Sequence, residues 1–128
     1  MEHRHPTPYG YSQTVITGGG KLAFVSGQIA MAPDGAFVGA GDFSAQSRQV
    51  HANLAAVLDG LGAKPAQVIK LTTFIVDLDA AKTAIVRADR LAMFGAAAPP
   101  ASSLLGVSAL YAPECLLEIE MIVDLTPA

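Results

Sequence analysis

The chain has 128 residues, 52% of them hydrophobic and only 15% charged, with a formal net charge of −3. That length fits one domain able to bury a core without disulfides or metals, and an acidic chain whose Lys and Arg form no run excludes a binder that works by neutralising nucleic-acid phosphates. No apolar run approaches the roughly 20 residues of a membrane span, and the single cysteine, Cys115, makes no internal disulfide, which suits a reducing cytoplasm.

Residues 1–8, "MEHRHPTP", are polar and Pro-rich, show no signal-peptide pattern, and read as a flexible tail carrying His3 and His5. "QTVITGGGKLAFVSGQIA" reads as a hairpin, two β-type runs around a glycine turn. "MAPDGAFVGA" holds a Pro-Asp-Gly turn followed by another short strand. "DFSAQSRQVHANLAAVLDGLGA" is the clearest helix. Asp42 or Ser44 caps it, Val50, Leu54, Val57, Leu58 and Leu61 form one stripe, and Gly60 and Gly62 offer its stop. "AQVIKLTTFIVDL" has the composition of a buried strand. "DAAKTAIVRADRLAMFG" is a second helix ending at Gly95. "SLLGVSAL" is a strand, and after a turn at "YAPE" comes the last, "CLLEIEMIVDL".

The order predicts a single α+β domain over residues 1–128, a mixed sheet with two helices on one face. Its other face then needs a cover. The last strand repeats that demand, because Leu117, Ile119, Met121, Val123 and Leu125 line one side while Leu116 and Ile122 accompany Glu118, Glu120 and Asp124 on the other. The surplus apolar surface predicts a homo-oligomer, identical subunits packing sheet to sheet. His51 reads as a helix-surface or interface residue and Cys115 as a packing thiol. No Ser-His-Asp set and no metal-ligand spacing appear.

Four segments in order, "PYGYSQTV", "FVSGQIA", "QVHANLAAVLDGLGA" and "PPASSLLGVSAL…LLEIEMIV", resemble the Rid family of reactive-intermediate deaminases, also called the YjgF or L-PSP endoribonuclease family. The resemblance covers almost the whole chain. It implies a chorismate-mutase-like fold, a homotrimer with clefts between subunits, and cofactor-free hydrolysis of 2-imino acids to 2-keto acids and ammonia. By position it assigns Glu118 to the carboxylate that activates water, with Glu120 as its structural neighbour. It assigns substrate contact to Tyr11, to the Ser-Gly-Gln turn at Ser26, Gly27 and Gln28, and to the segment holding Ser102, Ser103 and Leu104. It implies a small-molecule ligand, while the acidic charge, the lack of a long apolar run and the lack of metal-ligand spacing predict neither nucleic acid nor membrane as partner and no metal.

One departure matters. Typical deaminase members read Pro-Ala-Arg before the penultimate strand, and that Arg grips the substrate carboxylate through a two-point contact. This chain has Pro100-Ala101-Ser102. Such a contact is worth on the order of 1.5–3 kcal/mol, or ten- to several-hundred-fold in affinity at about 1.4 kcal/mol per decade. Arg48, Lys70, Arg87 and Arg90 lie outside the cleft segments, so no other cation is expected there. The sequence therefore predicts a hydrolase or deaminase for a small imine, enamine or amide rather than a typical 2-imino acid. The alternatives are a non-catalytic metabolite-binding trimer, acting as sensor or regulator, and an ordinary 2-iminobutanoate or 2-iminopropanoate deaminase. Ribonuclease action is disfavoured by the acidic charge and the lack of a catalytic His pair.

Overall fold

The structure, a computed structural model, describes residues 1–8, 10–95 and 97–126. Along the chain come β1 (Glu2–Pro6), β2 (Ser12–Ile16), β3 (Leu22–Gln28), α1 (Phe43–Leu61), a 3-10 turn (Pro65–Gln67), β4 (Val68–Val76), α2 (Ala80–Phe94), β5 (Ala101–Val107) and β6 (Leu117–Asp124). The strands make one mixed sheet in the order β1-β2-β5-β4-β6-β3. The α+β architecture is the expected one.

Both helices start and stop on local chemistry. The Asp42 carboxylate accepts from the Ala45 N–H at the head of α1, and Gly62 closes it in the left-handed conformation at φ 66°. Asp79 caps α2 by accepting from the Lys82 N–H. Val50, Leu54 and Leu58 of α1 and Val86 and Phe94 of α2 bury against Leu71 and Ile75 of β4 and Leu117, Ile119, Met121 and Val123 of β6. One sheet face is therefore covered by helices. Val57 and Leu61, counted in the same stripe, stand at its margin: Val57 is half-buried and Leu61 exposed.

The opposite face runs in rows set by register. Leu105, Phe74 and Glu118 form one row, Ser103, Thr72 and Glu120 the next, and Lys70 and Ile122 continue with Phe24. Phe24 is 74% exposed and Leu105 43%. This is the open face for which the sequence predicts a cover, and it mixes apolar with polar side chains.

Several expectations need correction. Residues 1–8 are not simply a tail, because β1 pairs antiparallel with β2, Glu2 opposite Ile16 and Pro6 opposite Ser12. The runs read as a β2–β3 hairpin do not pair. β2 meets β5 at Ser12↔Ala101, while β3 pairs with β6 at the other edge. The glycine-rich link carries the chain across the strand ends, where Thr17 Oγ1 donates to Asp124 at 2.5 Å. "MAPDGAFVGA" forms no strand, only a Met31↔Phe37 bridge around a turn closed by Gly35 N–H to the Ala32 carbonyl. His51 is buried at 8% exposure, its Nδ1 2.7 Å from the Ser47 carbonyl, because α2 covers that side of α1.

Candidate functional site

Glu118 is fixed by two devices. The first is the strict alternation of β6, which buries Leu117 and Ile119 and turns Glu118 to the open face. The second is a bulge in β3. Val25 pairs with Met121 and Gln28 with Ile119, so Ser26 and Gly27 together oppose Glu120. Gly27 is thereby set against Glu118. A Cβ on Gly27 would lie 2.5 Å from the Glu118 carboxyl carbon, so only glycine leaves room for the carboxylate there.

Beyond the bulge a cavity of about 560 Å³ opens, with Gly27, Gln28 and Glu118 at its polar end and Ile29, Met31, Val57 and Tyr111 among its walls. The outer wall is the loop after β3, and Asn53 ties it to α1. The Asn53 amide donates to the Ile29 carbonyl at 3.0 Å and the Met31 carbonyl at 2.9 Å, while its oxygen accepts from Gln49 at 2.8 Å. Fully buried Gln46 performs the same task for β6, donating to the Gly39 and Glu114 carbonyls and accepting from the Leu116 N–H. Neither residue stood out in the sequence beyond its place in an amphipathic helix. The usable signal was a polar side chain on the buried side of α1.

The other candidate residues lie elsewhere. Ser26 falls on the far side of the bulge, in a smaller hollow with Lys70, Thr72 and Glu120. Ser103 points to the open face and accepts from Lys70 Nζ at 2.9 Å. Ser102 pairs with buried Leu71 and so faces the helices. It lines a groove of about 270 Å³ with Leu104, Tyr11 and three residues of α2, namely Thr83, Arg87 and Arg90. Tyr9, the neighbour of Gly10, lies outside the described residues. The expectation that no cation stands near position 102 is therefore wrong, because Arg87 and Arg90 of α2 line the same groove. Within one subunit the candidate residues form two half-sites, Glu118 with Gly27 and Gln28, and Ser102 with Tyr11 and Leu104.

The arginines are electrostatically coupled. Burial holds the Arg90 guanidinium below its usual range, and the neighbouring Arg87 charge adds to the effect. His51 is likewise lowered, chiefly by burial and slightly by Arg90, against opposing contributions from the Ser47 carbonyl and Asp89. Cys115 is a buried thiol raised by desolvation, the packing role expected of it. Among the described residues no cluster of His, Cys, Asp and Glu could hold a metal, and no helix is long and apolar enough to cross a membrane.

Comparison with known proteins places these features in a family. Residues 1–125 match the family described as Endoribonuclease L-PSP. A Rid-family protein of unknown function from Yersinia pestis, YyfB, superposes with a TM-score of 0.88 at 41% identity, over 92% of this chain and 89% of that one. A RutC family protein of Pyrococcus horikoshii is 37% identical over 91% of this chain and 89% of its own. Protein DfrA of Myxococcus xanthus is 39% identical over 78% of this chain and 74% of its own.

Proposed function

The chain belongs to the Rid/YjgF/L-PSP endoribonuclease family, and from that premise we propose that it is a hydrolase of a small imine, enamine or amide, with water activated by Glu118 in a cleft between subunits of a homotrimer. The observation that carries the reading is the Glu118 carboxylate seated against Gly27 at the polar end of a large, mostly apolar cavity. An imine carbon is already electrophilic. Glu118 takes a proton as water adds to the carbon of the protonated imine, returns it to nitrogen, and accepts the proton of the new hydroxyl as the C–N bond breaks and the carbonyl forms. The products are a carbonyl compound and ammonia.

The exposed Phe24 and Leu105 support burial of the open face against another copy. The net charge of −3 continues to argue against RNA as substrate. A second reading, a binding trimer without turnover, is favoured by Ser102 standing where typical members carry Arg.

The test is hydrolysis of 2-iminopropanoate, made in place by an amino-acid oxidase, by the wild type and Glu118→Gln. Removal of the water-activating group should cost on the order of 10²-fold or more. Turnover untouched by Glu118→Gln defeats the mechanism. Absence of turnover on this and on neutral imines, with an unchanged metabolite bound to the purified protein, selects the second reading.

A further inference from the structure

We propose that the cavity beside Glu118 takes the protonated aldimine of an arylalkyl primary amine, a cation with an apolar tail and no carboxylate, and that Tyr111 selects the tail. Hydrolysis of this compound rests on the role given to Glu118 above, whereas the choice of charge and tail rests on the cavity walls.

Charge decides the head of the ligand. Among the described residues that line the cavity, Glu118 is the one ionised side chain, and no Lys, Arg or His accompanies it. An anion placed there meets repulsion and loses its hydration without a partner. The neighbouring amides are already engaged. Asn53 holds the Ile29 and Met31 carbonyls, and Gln28 donates to the Ser26 carbonyl at 3.1 Å. A protonated imine suits this end, because its N–H groups meet the carboxylate in charge-assisted hydrogen bonds.

Size and composition decide the tail. At about 560 Å³ the cavity falls within the roughly 300–1,000 Å³ of pockets that enclose whole ligands, far more than a three-carbon imine fills. Ala56 and Val57 come from α1, Ile29 and Met31 from the loop after β3, and Tyr111 from the loop before β6. Tyr111 is 82% exposed and Met31 38%. A tyrosine ring left in water at an apolar wall gains by stacking on a planar tail, and a thioether makes favourable contacts with aromatic edges. Both loops are tied to the same helix. Asn53 holds one through Ile29 and Met31, and Gln46 holds the other through the Glu114 carbonyl and the Leu116 N–H. The walls are therefore set before a ligand arrives, which limits the entropy lost on binding.

The reaction balances without a cofactor: R–CH=NH2⁺ and water give R–CHO and NH4⁺. A C–O bond forms, the C–N bond breaks, and no electrons are exchanged with a second reactant. The substrate must therefore be supplied by a separate two-electron oxidation of a primary amine.

Calorimetric titration with 2-phenylethylamine, ethylamine and phenylacetate, on wild type, Tyr111→Ala and Glu118→Gln, reads the ligand class without turnover. 2-Phenylethylamine should bind wild type at least about tenfold tighter than either of the others. Tyr111→Ala should weaken it roughly tenfold and leave ethylamine unchanged. Glu118→Gln should weaken it about as much and narrow its margin over phenylacetate. With the aldimine made in place by an amine oxidase, and aldehyde release measured above the spontaneous rate, Tyr111→Ala should raise KM roughly tenfold and leave kcat within about twofold. Equal binding of 2-phenylethylamine by wild type and Tyr111→Ala, tighter binding of phenylacetate, or no binding of either amine overturns the proposal. Selective binding of 2-phenylethylamine without hydrolysis of its aldimine or of 2-iminopropanoate removes the hydrolytic reading and leaves the ligand class standing. Glu118-dependent turnover of 2-iminopropanoate with no preference for the aryl ligand does the reverse.

Discussion

Gly27→Ala isolates the contact on which the proposed chemistry depends. The new methyl would sit 2.5 Å from the Glu118 carboxyl carbon and 2.7 Å from its Cγ and Oε2. Real Cβ contacts stay above about 3.0 Å, so the carboxylate must retreat by at least about half an ångström. The backbone at Gly27 is not in the left-handed region, so alanine itself is tolerated there. The atoms that must yield are the end of a flexible side chain, and stability should fall by no more than about 1 kcal/mol. Catalysis is less forgiving, because misplacing a reacting group by an ångström can cost on the order of 10²-fold. We expect roughly 10- to 100-fold lower kcat/KM on 2-iminopropanoate, about 1.4–2.7 kcal/mol of transition-state stabilisation. The decisive comparison is the double variant Gly27→Ala/Glu118→Gln. If Gly27 acts through Glu118, the second change adds little to the loss from Glu118→Gln. Wild-type turnover in Gly27→Ala, or full additivity in the double variant, refutes the reasoning.

Phe24→Asp places a charge on the exposed apolar face and removes a side chain whose burial contributes about 1.5–3 kcal/mol per copy. Light scattering should show the assembly shifting towards monomer with the fold retained, and an unchanged mass rules out this face as the contact. Asn53→Ala cuts both ties of the cavity wall and leaves the Ile29 and Met31 carbonyls without that donor, at about 1–3 kcal/mol. It should raise KM more than it lowers kcat, and unaltered kinetics would separate this wall from substrate binding. The Asp124 carboxyl is held down to about 2 by hydrogen bonds from Thr126 and Thr17. A depressed carboxylate contributes stability above its unfolded value of 3.8 and loses it as pH falls through the folded one. Asp124→Asn should therefore melt lower at pH 7 and flatten the acid limb between about pH 4 and 2. An acid limb like that of the wild type contradicts the assignment.

What the sequence made legible was local. The alternation of β6 sorted Leu117, Ile119, Met121 and Val123 from Glu118 and Glu120, and Asp42, Gly62 and Gly95 marked helix ends because capping needs only neighbouring residues. What it hid was long-range. "TVIT" and "LAFVSG" read as partners because a glycine turn joins them, yet β3 gains more by pairing with the far more apolar β6 across nearly a hundred residues. β1 was hidden because its residues are polar and its pairing with β2 carries no apolar pattern. Arg87 was hidden for a related reason. Nothing in α2 announces that this side chain will line the same groove as Ser102. The division of the Ser-Gly-Gln segment between two hollows comes from a bulge that period-two reading does not register.

That bulge acts as a frame shift written into β3. Deleting either Ser26 or Gly27 would restore an unbroken ladder with β6 and bring the rest of the strand back into phase. The sheet would become more regular, and Gln28 would keep its partner Ile119. One residue rather than two would then oppose Glu120, and the local bend that sets Gly27 against Glu118 would be lost. A chain repaired in this way should fold readily and lose the room beside Glu118. Insertions and deletions at this point therefore act on the site as a whole, whereas ordinary substitutions adjust it one side chain at a time.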